Sequence, residues 1–250
     1  MARITTIINQ KGGVGKTSTA HALATGLNHR NYKALVVDAD PQGNLSYIMQ
    51  TEAAKGVYEA MKGTPAADLI QHTGQGDILA STPALIGADL EFTQTGREYL
   101  IKDALEPVKS NYSHIIIDSP PTLGIMTINA LTASTDIIIP MGADIFSLQG
   151  LGQLYETIGR VKRYCNPNLK IAGLLITRYA RRAVLTRDLT EVIGDKAQQI
   201  SAPIYKTQIR EGIAVKEAQT MQTSLFDSHP KANPTADYTA LIDEYLKQED

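Results

Sequence analysis

A single cysteine, Cys165, is the first constraint on this 250-residue sequence. One thiol per chain cannot close an internal disulfide or supply a cysteine-rich zinc or iron–sulfur site. A cluster shared by two identical chains still needs at least two thiolates from each, so Cys165 reads as an ordinary half-buried thiol. Basic excess is lacking too. The formal net charge of -2 excludes a global cationic coat for nucleic acid, though not a local basic face. No apolar run approaches the roughly 20 residues of a membrane span. No charged leader, apolar segment and small-residue cleavage site open the sequence, so a cytoplasmic location is expected. Low-complexity tracts, Pro/Ser-rich linkers and internal repeats are missing as well.

Against these absences stands a chain that is 43 % hydrophobic, enough to bury a sizeable core. Because no linker interrupts residues 1–250, a single domain is expected rather than two small ones. Short β-branched runs alternate with longer segments of helical period. That is the pattern of an α/β protein with a doubly wound, mostly parallel sheet and helices on both faces. Strands are expected at Ile4–Ile8, Ala34–Asp38, Ile78–Ala80, His114–Asp118, Asp136–Pro140, Ile171–Thr177 and Pro203–Tyr205. Several are nearly continuous Ile, Val and Leu, as strands covered on both faces require. Helices are expected over Lys16–His29, Thr127–Ala133, Leu148–Tyr164, Thr186–Ile200 and Thr235–Gln248, with short helices on loops between Gln42 and Gln75.

Between the first strand and the first helix lies Gln10-Lys11-Gly12-Gly13-Val14-Gly15-Lys16-Thr17, followed by Ser18. Glycines there let successive backbone N–H groups turn inward onto a polyphosphate, and the helix N-terminus adds a favourable dipole. Lys16 is placed to reach the β- and γ-phosphates, and the Thr17 hydroxyl to ligate Mg²⁺. The usual phosphate loop has glycine where Gln10 stands; here Lys11 brings a second cation instead.

Two carboxylate segments complete this reading. Val36-Val37-Asp38-Ala39-Asp40 puts two acids at the end of the second expected strand, and Ile115-Ile116-Ile117-Asp118 ends the fourth in the same manner. Ligands of open parallel sheets bind outside the carboxyl ends of the strands, so all three segments can converge. An acid so placed can hold Mg²⁺ directly or through water, and another can orient an attacking water.

These residues resemble the ParA/Soj/MinD group of deviant P-loop ATPases, and the ParA/Soj branch most closely. Lys11 to Thr17 is similar to that group's first box with its signature lysine. Asp38-Ala-Asp40-Pro-Gln-Gly-Asn44 is similar to its second box, and Ile117-Asp118-Ser-Pro-Pro-Thr-Leu-Gly124 to its third. Thr127 to Ser134 and the Ser147-Leu-Gln-Gly150 turn extend the likeness, which runs from about residue 3 to residue 160. The resemblance implies ATP and Mg²⁺ as ligands and an ATP-dependent sandwich homodimer in which Lys11 of each subunit reaches the partner's phosphates. It implies that Lys16 and Thr17 bind phosphate and Mg²⁺, that Asp40 positions the attacking water, and that Asp38 and Asp118 support the metal through its waters. Arg210-Glu211-Gly212 departs from the Pro-Arg-Asn that the family often carries near the adenine.

Between residues 160 and 216 the sequence turns basic: Arg160, Lys162, Arg163, Lys170, Arg178, Arg181, Arg182, Arg187, Lys196, Lys206, Arg210 and Lys216 face only Asp188, Glu191, Asp195 and Glu211. Such asymmetry suits sequence-independent phosphate binding, although charge runs also serve simply as solvated helix faces. The resemblance implies non-specific DNA binding by the ATP dimer at the nucleoid. Arg178, Arg181, Arg182, Arg187, Arg210 and Lys216 are the candidate contacts, and Arg182→Ala or Arg210→Ala is expected to weaken DNA binding and lower its salt slope. No helix-turn-helix is expected ahead of the first strand. A ParB-like partner is implied as the stimulator of hydrolysis, with the surface around Arg97-Glu98-Tyr99 as a candidate docking place. Two rival readings stand beside this one. A MinD-like membrane ATPase needs a basic amphipathic end, whereas Tyr238 to Asp250 exposes an acidic face, so no membrane partner is expected. A nucleotide-gated scaffold without hydrolysis has no use for Lys11 together with Asp40.

Overall fold

In the computed structural model the described residues are 2–52, 54–142, 144–179, 193–194, 197–198 and 202–248. The strands are β1 (Arg3–Ile7), β2 (Ala34–Asp38), β3 (Gln71–Thr73), β4 (Gly76–Leu79), β5 (His114–Asp118), β6 (Asp136–Gly142) and β7 (Lys170–Thr177). They form one sheet in the order β3-β4-β2-β5-β1-β6-β7. Every neighbouring pair is parallel except the β3–β4 hairpin at the edge. The doubly wound, mostly parallel sheet expected from the sequence is therefore present.

Alternation along the strands decides which layer each side chain enters. Leu35, Val37, Ile115 and Ile117 join one core with the short helices α3 (Val57–Met61) and α5 (Leu100–Leu105) and with α6 (Ile125–Ala133). Ala34, Val36 and Ile116 join the opposite core, with α1 (Lys16–His29) and the helix over Asn233–Leu246. A third cluster packs β6 and β7 against α7 (Ile145–Tyr164). With both faces covered, the His114–Asp118 run is buried at every position.

Several expected boundaries move, each for a local reason. The helix expected from Thr127 starts at Ile125, whose N–H is capped by Asp89 Oδ1 at 2.7 Å. The one expected from Leu148 starts at Ile145, so Ser147 to Gly150 is helical rather than a turn. The final helix runs Asn233–Leu246, with Pro234 in its first turn, where a missing N–H costs nothing. Pro203–Tyr205 is not a strand. Only Ile204 forms an isolated parallel bridge, to Leu174, because Pro203 has no N–H to extend a ladder. The edge strand β3 was not expected, since Gln71-His72-Thr73 shows no apolar alternation; the Gly74-Gln75 turn imposes the pairing. The expected Thr186–Ile200 helix lies outside the described residues except at 193–194 and 197–198, which are helical.

The last helix is locked onto the sheet by Tyr245. Its buried hydroxyl lies 2.7 Å from Thr5 Oγ1, and the Arg3 guanidinium stacks 3.7 Å from its ring centroid. Arg3 also donates to the Tyr245 carbonyl and pairs with Asp136, both at 2.8 Å. Tyr238, Leu241 and Ile242 are buried beside it, so the apolar stripe of this helix is spent on packing. Tyr245→Ala is expected to lower unfolding stability by about 3–5 kcal/mol, and Tyr245→Phe by about 1 kcal/mol. Urea denaturation measures both, and near-equal losses from the two changes would contradict the lock.

Candidate nucleotide site

The loop from Ile8 to Gly15 leaves the central strand β1 and turns into α1. Asn9 splints it, donating from Nδ2 to the Pro140 carbonyl at 2.7 Å and accepting the Lys11 N–H at 2.9 Å. From the other side the Thr177 hydroxyl donates to the Val14 carbonyl at 2.8 Å. Gly13 and Gly15 have φ of 73° and 85°, the left-handed region where a side chain is strained. Lys16 opens α1 with its side chain buried and its Nζ on the Lys11 carbonyl at 3.2 Å. Burial pushes its pKa down, while Asp118 and Asp40 pull it up. A desolvated ammonium bonded to a neutral carbonyl at a helix N-terminus is poised for an anion.

Adjacent strands deliver the carboxylates. Asp38 and Asp118 are register partners on β2 and β5, and Ile7 of β1 is the next partner of Asp118. Asp38 is satisfied within the chain: its Oδ2 accepts from Ser46 N at 2.8 Å and Ser46 Oγ at 2.7 Å. Burial nevertheless raises its carboxyl to about 6. Asp118 is fully buried, and among the described residues neither carboxylate oxygen meets a donor at full hydrogen-bond geometry, the Thr17 hydroxyl being a polar neighbour. Burial first, then the Asp38 carboxylate, push its pKa well up; the Thr17 hydroxyl and Lys16 oppose them. Asp40 is held by its backbone: its carbonyl accepts from Ser81 Oγ at 2.7 Å, and its Oδ1 accepts from Gln42 N at 3.0 Å.

Orphaned oxygens on a buried acid beside a threonine hydroxyl fit a hard cation or its waters. Among the described residues no group of three His, Cys, Asp or Glu is placed to hold a metal alone. A cation here would take its remaining ligands from phosphate and water, which is how Mg²⁺ ordinarily binds at phosphate sites.

A cavity of about 820 Å³ joins these parts; Gly12, Gly13, Gly15, Lys16, Thr17, Ser18 and Asp40 line one side. Arg178, Arg210, Glu211 and Gly212 line it from just beyond β7 and from the segment leading into α8 (Ile213–Thr220), Lys216 and Gln219 from α8 itself, and Tyr238 from the last described helix. Such a volume suits a small-molecule ligand. Gln219 Nε2 donates to Ser18 Oγ at 2.9 Å, tying α8 to the start of α1.

Three of the expected DNA contacts, Arg178, Arg210 and Lys216, thus border the nucleotide cavity. Arg210 forms a two-pronged ion pair with Asp237, its Nη2 lying 2.6 Å from Oδ1, so much of its charge is met inside the chain. Arg181, Arg182 and Arg187 lie outside the described residues. Lys11 does not point into the chain's own phosphate cradle. Its Nζ pairs with Asp144 at 2.6 Å, with side chains 36% and 38% exposed.

A glycine loop between a central parallel strand and a helix, faced by carboxylates at neighbouring strand ends, defines a P-loop nucleotide-binding protein. The chain matches the AAA domain family over residues 2–171. It is 34% identical to the chromosome partitioning protein ParA of Myxococcus xanthus, over 100% of this chain and 89% of that protein. It is 36% identical to the sporulation initiation inhibitor protein Soj of Bacillus subtilis, over 98% of each. The chain belongs to the ParA/Soj family of P-loop partitioning ATPases. Among solved structures, cobyrinic acid a,c-diamide synthase of Mycobacterium smegmatis, with bound ATP analogue and magnesium, superposes with a TM-score of 0.89. It is 29% identical, over 100% of this chain and 96% of that one.

Sequence reasoning missed Asn9, Ser46, Thr177 and Asp144, which position the loop, Asp38 and Lys11. None stands in a motif. Only Thr177, at the carboxyl end of an expected strand, carried a positional signal.

Proposed function

We propose that this chain hydrolyses ATP with Mg²⁺, and that ATP drives it into a homodimer that binds DNA non-specifically until hydrolysis releases it. The observation that carries this reading is Asp118, a buried carboxylate that no donor among the described residues satisfies at full hydrogen-bond geometry, with Lys16 and Thr17 beside it. Lys16 leaves the Lys11 carbonyl for the β- and γ-phosphates. Thr17 would hold Mg²⁺, with Asp38 and Asp118 supporting it through water, and Gly12 to Ser18 line the cradle. Bound there, the metal would supply positive charge to the phosphates. Asp40 orients the attacking water, and Lys11 exchanges Asp144 for the partner's phosphates, as an arginine finger would.

Hydrolysis is weak in the single chain, because the cradle lacks that second lysine, and rises with DNA and a ParB-like partner. Phosphate release with and without these additions tests the enzyme; a chain that binds ATP yet never releases phosphate would instead be the nucleotide-gated scaffold. The MinD-like alternative loses support from the packed apolar stripe of the last helix, and among the described residues no helix is long and apolar enough to cross a membrane. For the partner, the Arg97–Tyr99 turn is the docking place we propose to test first. On the DNA side, exposed Arg160, Lys162 and Arg163 on α7 add to the basic stretch. Arg182→Ala is expected to weaken DNA binding uniformly across sequences and to lower the salt slope by about one. Equilibrium binding at several salt concentrations measures it. Arg210→Ala should do less, since Asp237 already holds its charge.

The carboxylates also set a pH dependence. The folded chain without ligand keeps the Asp38 proton more tightly than the unfolded chain. That contribution to stability is complete below about pH 3.8 and is lost as pH rises through about 6. His21, buried and lowered to about 4, acts in the opposite sense over much of this range. It does not line the cavity, so it drops out of a ligand-induced difference. Cation binding needs the acids ionised. The melting-temperature gain from Mg²⁺ and ADP should therefore be larger near about pH 7.5 than near about pH 5.5. An equal gain at both would contradict the metal role of these acids.

A further inference from the structure

Arg178 follows β7 with φ of 53°, a left-handed conformation that an arginine adopts only at a cost. Its neighbours pin it there. Thr177 is bonded to the Val14 carbonyl, and Tyr179 N donates to the Ile209 carbonyl at 2.9 Å. The strained backbone aims the side chain at the phosphate loop. Nη1 donates to the Gly13 carbonyl at 3.4 Å, and Nη2 to Glu211 Oε1 at 3.2 Å. Both bonds are long for a guanidinium, and the side chain is 60% exposed. The cation is held loosely at the mouth of the cavity that Gly13 and Glu211 also line. Strain retained beside a ligand cavity points to function.

The geometry points to Arg178 as a nucleotide-binding residue, whose guanidinium exchanges the Gly13 carbonyl and Glu211 for phosphate oxygens of the bound nucleotide. This inference deepens the proposed ATP site and rests on that reading. A polyphosphate outcompetes a neutral carbonyl because it brings full negative charge against the guanidinium, and the guanidinium fork matches two phosphate oxygens at once. Glu211 plays the opposite part. Its carboxylate sits on the same cavity wall, so it occupies the arginine when the site is empty, and it repels a polyphosphate if the arginine is removed.

The experiment is equilibrium titration of the full chain with Mg²⁺ plus fluorescent ADP or a non-hydrolysable ATP analogue, with DNA binding and melting temperature measured in parallel. Arg178→Ala is expected to weaken nucleotide binding about tenfold or more. Arg178→Lys should recover only part of that loss, lacking the fork. Glu211→Gln should tighten binding, and the double variant Arg178→Ala/Glu211→Gln should regain part of the affinity lost by the single arginine change. Arg178→Gly separates function from folding: glycine suits the left-handed backbone, so the melting temperature should not fall while nucleotide affinity does. If Arg178→Ala and Arg178→Gly bind both nucleotides as the parent chain does, the inference is overturned. If the parent chain itself binds neither nucleotide, the reading of the site is overturned, and this inference goes with it.

Discussion

Replacing Lys11 by alanine is expected to abolish ATP-driven dimerisation and to slow hydrolysis on the order of a thousandfold, while the single chain still binds ADP. In the free chain Lys11 rests on Asp144. A pair that exposed is worth under about 1 kcal/mol, so giving it up is cheap. A cation placed where the transition state gathers negative charge contributes far more. A thousandfold in rate corresponds to about 4 kcal/mol. The exchange is therefore expected to run toward the partner's phosphates once a second chain is present. Steady-state phosphate release by the variant at saturating ATP is the readout; a rate within a few-fold of the parent would mean that Lys11 does no chemistry.

Asp40→Ala is expected to fail differently. Hydrolysis should fall by about 10²–10⁴, while ATP binding and dimerisation persist, leaving the chain trapped in its ATP state and on DNA. The reason is geometric. Asp40 is fixed by Ser81 on its carbonyl and Gln42 N on its carboxylate, whereas Asp118 and Asp38 face each other across β5 and β2. In the proposed role, losing Asp40 takes away the group that orients the water and leaves the cradle of Lys16 and Thr17 in place. Loss of dimerisation together with hydrolysis would instead put Asp40 in nucleotide binding.

The sheet and the cradle were legible because both rest on local pattern. Continuous Ile115-Ile116-Ile117 announces a strand covered on both sides, and the glycines of residues 12–15 announce a turn that only glycine makes cheaply. The Asp38–Asp118 pairing was legible as convergence at strand ends, though not as register. What escaped was tertiary. Asp144 meets Lys11 across 133 residues, and Thr177 meets Val14 across 163; no spacing rule reaches that far. Arg178 and Arg210 were grouped by charge with a DNA face. Composition counts arginines without knowing that one is tied to Asp237 and both border the phosphate cavity. The fold itself does not choose the second partner: the same sheet carries different reactions in proteins of different name, so the partner must be read from surfaces and measured.

Light scattering of the purified chain with ATP and Mg²⁺, with ADP and Mg²⁺, and without nucleotide decides whether ATP joins two chains. Twice the monomer mass is expected only with ATP and Mg²⁺, falling to one chain with ADP and never reached by Lys11→Ala. A chain saturated with ATP that stays monomeric would contradict it.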